Sequence, residues 1–455
     1  MIANNIFTLI FFSFCAILLI YALPNELKRY SLFVLNFVFY FLLSPYCVFL
    51  ILLSTIVSFF IGQKITSSQH AKLWLISGII FSVSILLFFK YYHFFTDRFS
   101  GAIKIIMPLG LSYYTFKIIS YLADIYIKKR SSEPSFINYS IYIGFFPQIM
   151  AGPISNSNEI LDSLPQLGHA TSIMKANSFS LIISGLFKKI VIADRISVYT
   201  DQIFATPNNY PSIALILSSI LYSIQIYCDF SGYSDIAIGL GRIFGFHFDE
   251  NFRYPFVSKN ITEFWQRWHI SLGTFFRDYL LYVPIFGKRR KYLNLFLVWF
   301  CTGFWHGANW NYIIWGLYFG LFILIERTIG NKNMRKMPKA VAHIYNTIVV
   351  VVGFGIFYFT DLGKLGTFLG NLVGLNGNSF TDKISMQNMT ANAWLFIVSV
   401  VLCMPVIPAL KKKLESKNLY LATSVGQTVL NVAVFALSSI LLVNATNNPF
   451  IYWQF

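Results

Sequence analysis

The sequence predicts an all-α polytopic membrane protein with about 11 transmembrane helices and short re-entrant or interfacial helices around a cavity. Three observations predict it. Hydrophobic residues make up 56% of the 455, charged residues only 12%, and phenylalanine alone numbers 48; a soluble chain typically carries about 25% charged residues. Mean hydropathy is +0.61, and apolar runs approaching the roughly 20 residues of a membrane span recur along the chain. The polar stretches, at 155–177, 201–212, 328–340 and 361–390, are each too short to bury a core. Residues 1–455 therefore read as a single integral membrane domain.

Candidate spans are 5–22, 30–43, 46–62, 73–92, 105–127, 136–150, 177–198, 212–228, 292–304, 310–327, 341–359, 392–409 and 424–443. Those at 30–43, 136–150 and 292–304 are too short to cross fully, the mark of re-entrant or broken helices around a cavity. The N-terminus, MIANNIFTLIFFSFCAILLIYALP, has no basic leading region and no A-x-A-like cleavage site, so it reads as a retained first span. Loops at 26–30, 64–72 and 128–130 are more basic than those at 44–45 and 93–102. The positive-inside rule puts the first set in the cytoplasm and the N-terminus outside.

The formal net charge is +17. The cations sit in short loop clusters: Lys28-Arg29, Lys128-Lys129-Arg130, Lys288-Arg289-Arg290-Lys291 and Lys411-Lys412-Lys413. Topology accounts for these clusters, and no nucleic-acid-binding module accompanies them, so nucleic acid is not an expected partner. Cys15, Cys47, Cys228, Cys301 and Cys403 are scattered with no CxxC, against a disulfide framework or cysteine metal site. Walker A and G-x-S-x-G motifs are missing, and GLGRIFG (239–245) follows no predicted strand.

Between about 185 and 311, polar residues invade membrane-like sequence. ITEFWQRWHISLGTFFRDYLL (261–281) has the length of a span yet carries Glu263, Arg267, His269, Arg277 and Asp278. As one helix it must lie in the interface or be buried against protein and water. Trp265, Trp268, His269 and Leu272 would then share a face. GFWHGANWN (303–311) places His306 beside Trp305 between two apolar runs. A helix over 306–316 would bring Asn309 and Trp310 onto the histidine's face, Asn309 to fix its tautomer and Trp310 to wall the pocket. His306 is then either a shielded general base or an interhelical hydrogen-bonding group. His269 is the second candidate. Two histidines with no H-x-x-x-H and no evident third ligand argue against a metal.

In YSIQIYCDFSGYSDIAIGLGR (222–242), Tyr222, Gln225 and Asp229 form a polar stripe, and Asp235 and Arg242 stand two turns apart. The stripe is either a pathway wall or, as we favour, an internal network holding the bundle together. Gly232, Gly239 and Gly241 would permit close packing there. MPLGLSYYTFKIISYLADIYIKKR (107–130) puts Lys117 and Asp124 within one span, and FPQIMAGPIS (146–155) is broken by Pro147 and Pro153. Lys188 and Lys189 are placed either to attract an anionic donor or to snorkel to the interface.

These stretches, with NFRYPF, EFWQRWHISLGTFFRDYL, GFWHGANWNYIIWGLY and the terminal NPFIYWQF, run in order from residue 107 to the end. Together they resemble the membrane-bound O-acyltransferase (MBOAT) family, most closely its bacterial alginate O-acetylation branch. The chain departs from that branch at YVPIFGKRRKY (282–292), at Phe319 and at IFYFTD (356–361). The resemblance implies a ring of tilted helices around a central funnel and transfer of an acyl group from a thioester to a hydroxyl. The family histidine of W-H-G falls on His306 and that of R-W-H-x-S on His269. On this basis Asn309, Trp305, Trp310, Trp268, Asp229, Gln225, Tyr222, Arg277 and Asp278 are expected to support the site or line the funnel. Lys288, Arg289 and Arg290 would meet the donor's phosphates.

The expected donor is acetyl-CoA or another acyl thioester acting as co-substrate, with no tightly bound cofactor. The expected acceptor is an extracytoplasmic exopolysaccharide or peptidoglycan, served with an SGNH-type acetyltransferase partner. Transfer of D-alanine from an acyl carrier protein toward teichoic acid is the rival, and a proton-coupled transporter or flippase is the alternative of a different class. The expected location is the bacterial cytoplasmic membrane, surrounded by lipid bilayer.

Overall fold

Where backbone polar groups have no water to bond, a spanning chain must satisfy them within itself, and this chain does so with helices. The computed structural model describes residues 6–96, 107–284 and 287–443, which hold helices and turns and no strand. The terminal NPFIYWQF motif and most of the 93–102 loop lie outside the described residues. Four helices come first: α1 (Ile6–Ala22), α2 (Asn25–Leu43), α3 (Val48–Ser67) and α4 (Ala71–Thr96). Next are α5 (Leu111–Tyr126), the short α6 (Phe136–Gly144) and α7 (Ser157–Leu161), and α8 (Ser172–Leu186), which continues through a π-helical stretch, Phe187–Ala193, into α9 (Asp194–Ala205). The 33-residue α10 (Ser212–Phe244) crosses the middle of the protein. It is followed by α11 (Ile261–Arg267), α12 (Ile270–Phe276), α13 (Lys291–His306), α14 (Trp310–Ile329), α15 (Asn331–Met334) and α16 (Lys339–Tyr358). The last are α17 (Leu362–Leu372), α18 (Lys383–Ala391), α19 (Ala393–Leu402), α20 (Val406–Glu415) and α21 (Tyr420–Val443).

Among the described residues, six helices are long and apolar enough to cross a membrane, or seven if the pair Lys383–Ala391 and Ala393–Leu402, bent by 57°, is one span. Several sequence expectations shift. The 212–228 run is the first half of a longer helix, because polar Asp229, Ser231 and Ser234 are buried against protein. The 136–150 run yields only the nine-residue α6, followed by turns through Pro147. The 392–409 run breaks near Pro405, between α19 and α20. The 30–43 run extends back to Asn25, and the 361–390 stretch holds α17 and α18.

The helix ends define two faces. Tyr21 at the end of α1 donates its hydroxyl hydrogen to the Ile243 carbonyl at the end of α10, 2.8 Å away. The Gly168 amide bonds the Phe244 carbonyl at 2.8 Å, His169 meets Asn25 at 3.1 Å, and Arg130 bonds Asn158 at 2.7 Å. The basic segments at 28–29 and 128–130 therefore gather at one end, which the positive-inside rule assigns to the cytoplasm. Following α13 and α14 from that end places His306 toward the opposite face and Arg327 at the cytoplasmic one.

Close backbone approach holds the core. A Cβ on Gly185 would lie 2.4 Å from the Gly232 carbonyl oxygen, locking α8 against α10, and one on Gly316 would lie 2.4 Å from the Trp299 carbonyl oxygen, locking α13 against α14. Buried Glu326 on α14 ties down α11. Its carboxyl accepts from the Ile261 amide (2.6 Å), the Thr262 amide (2.8 Å), the Thr262 hydroxyl (2.6 Å) and the Tyr345 hydroxyl (3.0 Å). It thereby satisfies the open amides at the start of a helix. Glu326→Ala strands these donors and is expected to cost about 3 kcal/mol, read as a lower thermal midpoint in detergent, with Glu326→Gln losing less.

Candidate active site

The segment read from sequence as one helix is two. After α11 the chain straightens at Trp268 and turns at His269, whose φ of +45° lies in the left-handed region. Non-glycine residues adopt that region only when their surroundings demand it. Here the demand comes from 251–253, which lies alongside the break: the Arg253 amide bonds the Arg267 carbonyl at 2.9 Å, and the Ile270 amide bonds the Asn251 carbonyl at 2.9 Å. The apolar periodicity of 261–281 runs unbroken through the turn and hides it. Trp268 and His269 are buried all the same.

Asn251 also sets the chemistry of His269. Its Oδ1 accepts from the Ser271 amide (3.2 Å) and the Ser271 hydroxyl (2.9 Å), while its Nδ2 donates to the Ser234 hydroxyl (3.2 Å). A backbone amide can only donate, so the oxygen of the Asn251 side chain must face it. His269 Nδ1, 3.1 Å from that oxygen, is consequently the protonated ring nitrogen. Nε2 is left as the acceptor. The ring stands edge-on to Phe230, with centroids 4.7 Å apart. His269 lines a cavity of about 410 Å³ together with Trp268, Trp299, Thr302, Arg277 and Tyr282.

His306 is the last residue of α13, and Gly307 continues in extended conformation before α14 begins at Trp310. The expected helix over 306–316 does not form, because the chain leaves the helix at Gly307. Asn309 is exposed and shares no helical face with His306, and Trp310 is 61% exposed. Other rings wall the imidazole: Trp305 at 4.6 Å, Trp315 at 4.8 Å and Phe357 at 5.0 Å between centroids. Trp305 also lies 6.4 Å from the His269 ring, so one indole contacts both histidines. His306 itself is not among the residues that line the cavity.

Lys90 on α4, a residue sequence reasoning passed over, donates to the Trp305 carbonyl, and its ammonium stands 5.1 Å from the Trp305 ring. Neighbouring Tyr91 donates to the Phe304 carbonyl and lies 3.2 Å from the Gly307 carbonyl. A lone cation in the apolar run FFKYYHFF was the available signal for Lys90. Asn251 had a weaker one, a single amide heading the aromatic NFRYPF.

The other expected residues divide. Gly303 lets two backbones approach: a Cβ there would lie 2.4 Å from the Tyr312 carbonyl oxygen. Arg277 lines the cavity and pairs with Asp278 at 2.8 Å. Asp278 lines a separate cytoplasmic-end cleft of about 260 Å³ with Asp124, Lys129, Arg130 and Glu159. Burial, and then the nearby Asp249, push the Glu159 carboxyl up to about 8.

Tyr222 packs on Phe204 and Tyr358, Gln225 accepts from the Thr200 hydroxyl at 2.8 Å, and Asp229 pairs with Lys189 at 2.6 Å. Lys189 also meets Asp194 at 2.9 Å, and Lys188 meets Asp235 at 2.7 Å. The stripe thus belongs to an internal network of ion pairs and packing, with Lys188 rather than Arg242 as the partner of Asp235. Lys288, Arg289 and Arg290 are exposed. Arg289 lies 4.3 Å over the Tyr282 ring, and Tyr282 lines the cavity, so this basic loop borders its mouth. Among the described residues no three His, Cys, Asp or Glu side chains converge as metal ligands.

A helical membrane protein with two buried histidines sharing one indole matches the family model of the membrane-bound O-acyltransferases over residues 5–369. The chain belongs to that family. Among its relatives is the probable alginate O-acetylase AlgI of Pseudomonas aeruginosa, 36% identical over 329 residues, which are 68% of this chain and 62% of that protein. The peptidoglycan O-acetyltransferase of Helicobacter pylori is 34% identical over 369 residues, covering 72% of this chain and 70% of that protein. The teichoic acid D-alanyltransferase of Bacillus subtilis is 29% identical over 288 residues, covering 56% of this chain and 69% of that protein.

Replacing Asn251 by Leu removes the acceptor that holds His269 Nδ1–H and frees the ring to take either tautomer. Losing such an orienting partner typically costs about 10–100-fold. Asn251→Leu should lower acyl transfer in isolated membranes by that factor per unit of folded protein, with a lower thermal midpoint because the Ser271 amide loses its acceptor, and Asn251→Asp, which keeps the acceptor oxygen, should retain more of both.

Proposed function

We propose that this chain moves an acetyl group from a cytoplasmic thioester, acetyl-CoA, to or toward the hydroxyls of an extracytoplasmic polysaccharide in the bacterial cell envelope. Family membership and the alginate and peptidoglycan O-acetyltransferases among its relatives support the reading. The observation that carries it is the pair of buried imidazoles on one tryptophan, with a cavity at His269 whose mouth carries a basic loop.

In this reading Lys288, Arg289 and Arg290 meet the donor's phosphates, and the thioester enters the cavity beside His269. His306 takes the proton of the accepting hydroxyl, or of a carrier's hydroxyl, shielded by Trp315 and Phe357 from bulk water. The oxygen attacks the thioester carbonyl, the carbon–sulfur bond breaks, and the departing thiolate takes up a proton. His269 assists from the cytoplasmic side, its Nε2 free to accept a hydrogen bond because Asn251 occupies Nδ1–H. Trp305 packs against both rings and so fixes their positions relative to one another. A separate SGNH-type protein outside the membrane is the expected next carrier of the acetyl group.

His306→Ala should insert normally and lose about 10²–10⁴ in transfer of labelled acetyl, the usual contribution of a general base; an unchanged rate in the purified variant refutes the assignment. Offering membranes labelled acetyl-CoA or a labelled D-alanyl carrier protein separates the substrates. Acetylated polymer is the expected product, and D-alanylated teichoic acid alone would establish the rival. Proton-driven uptake without any acyl transfer would instead make the chain a transporter.

A further inference from the structure

A third cavity, polar on one side and of about 280 Å³, lies at the cytoplasmic end between α8, α10 and the break joining α19 to α20. Its polar wall includes Lys188, Asp235, Arg242, Glu250 and Asn251. Lys188 and Asp235 neutralise one another at 2.7 Å, and Glu250 pairs with Arg253 at 3.3 Å. Arg242, in the last turn of α10 and half-buried, forms no ion pair or side-chain hydrogen bond among the described residues. The guanidinium thus has no direct hydrogen-bonded or ion-pair partner in the cavity wall, although the field of its charge reaches the Asp235 carboxylate.

The opposite wall is apolar and faces the bilayer: Val401, Met404 and Ile407 line the cavity and are 39%, 47% and 52% exposed. The helix continuing from that wall, α20, has no buried residue. It carries Ile407 and Leu410 exposed, then Lys411, Lys412 and Lys413. An amphipathic basic helix of this kind lies in the headgroup layer of an anionic leaflet. The opening is therefore placed at headgroup depth, with a cation inside and hydrocarbon-compatible side chains at the rim.

We infer that this cavity binds the phosphate headgroup of an anionic glycerophospholipid from the cytoplasmic leaflet, with Arg242 on the phosphate and the α19–α20 break along the acyl chains. Guanidinium and phosphate match as fork and acceptor. A nucleotide thioester also carries phosphates, but the lipid-facing apolar rim favours the amphiphile. Asn251 forms part of this wall and holds His269 from its other side, so the headgroup would lie one residue away from the proposed reaction centre.

The test uses the full chain in nanodiscs of phosphatidylcholine with a minor fraction of phosphatidylglycerol. Native mass spectrometry counts the phosphatidylglycerol retained per protein after release into neutral detergent. The parent should retain phosphatidylglycerol in preference to phosphatidylcholine. Arg242→Gln should retain it about tenfold less, the scale of one lost charge-assisted contact. Met404→Trp, at an exposed position on the rim, should block retention while leaving the thermal midpoint unchanged, and it carries the test if Arg242→Gln fails to fold. Parent-like retention in Met404→Trp, or in a folded Arg242→Gln, overturns the inference. Displacement of the retained lipid from the parent by free coenzyme A would also overturn it, by assigning the cavity to the donor.

Discussion

The arrangement around the candidate site depends on one side chain, Asn251, bridging a helix break. The turn at His269 leaves the ends of α11 and α12 exposed within a protein interior and puts a non-glycine residue in the left-handed region. Such a turn persists only where its open groups find partners. Asn251 supplies them from a neighbouring segment: its carbonyl takes the Ile270 amide, and its side chain takes the Ser271 amide, the Ser271 hydroxyl and the His269 ring. Backbone satisfaction and imidazole orientation are thus the same contacts. A defect in one is a defect in the other.

The same economy governs the other polar groups placed in membrane-like sequence. A charge among helices is costly unless it is paired, and here the pairs are mostly remote in sequence. Lys189 reaches Asp194 and Asp229, Lys188 reaches Asp235, and Lys117 reaches Gln148 and the Tyr142 carbonyl. Glycines at the crossing points of α8 with α10 and of α13 with α14 bring backbones close enough for these contacts. The central block is polar for two reasons: part of it fastens helices together, and part of it surrounds a cavity. Tyr222, Gln225 and Asp229 belong to the first part, Trp268, His269 and Arg277 to the second.

Periodicity made some of this legible and concealed the rest. The all-α membrane class followed from hydropathy, and the shortness of the 136–150 run announced a segment that does not span. The break at His269 was invisible because aromatic and aliphatic residues keep helical spacing straight through it, on both α11 and α12. Asn309 and Trp310 do not join His306 for the converse reason: helical spacing would group them only across Gly307, where the chain is extended. Trp315 and Phe357, which wall the imidazole instead, come from α14 and α16. No spacing rule connects residues on separate helices.

Composition and local pattern alone determined that the chain is a helical membrane protein with its polar residues concentrated in one central block, because the cost of exposing charge and backbone to lipid is written into every span. The two histidines could be picked out as candidates in the same way. Only the tertiary structure decided that one tryptophan joins them, that Asn251 selects which nitrogen of His269 carries the proton, and which charges are consumed as structural pairs. Those outcomes rest on hydrogen-bond direction and ring contact between segments far apart in the chain, and such contacts exist only once the helices have packed.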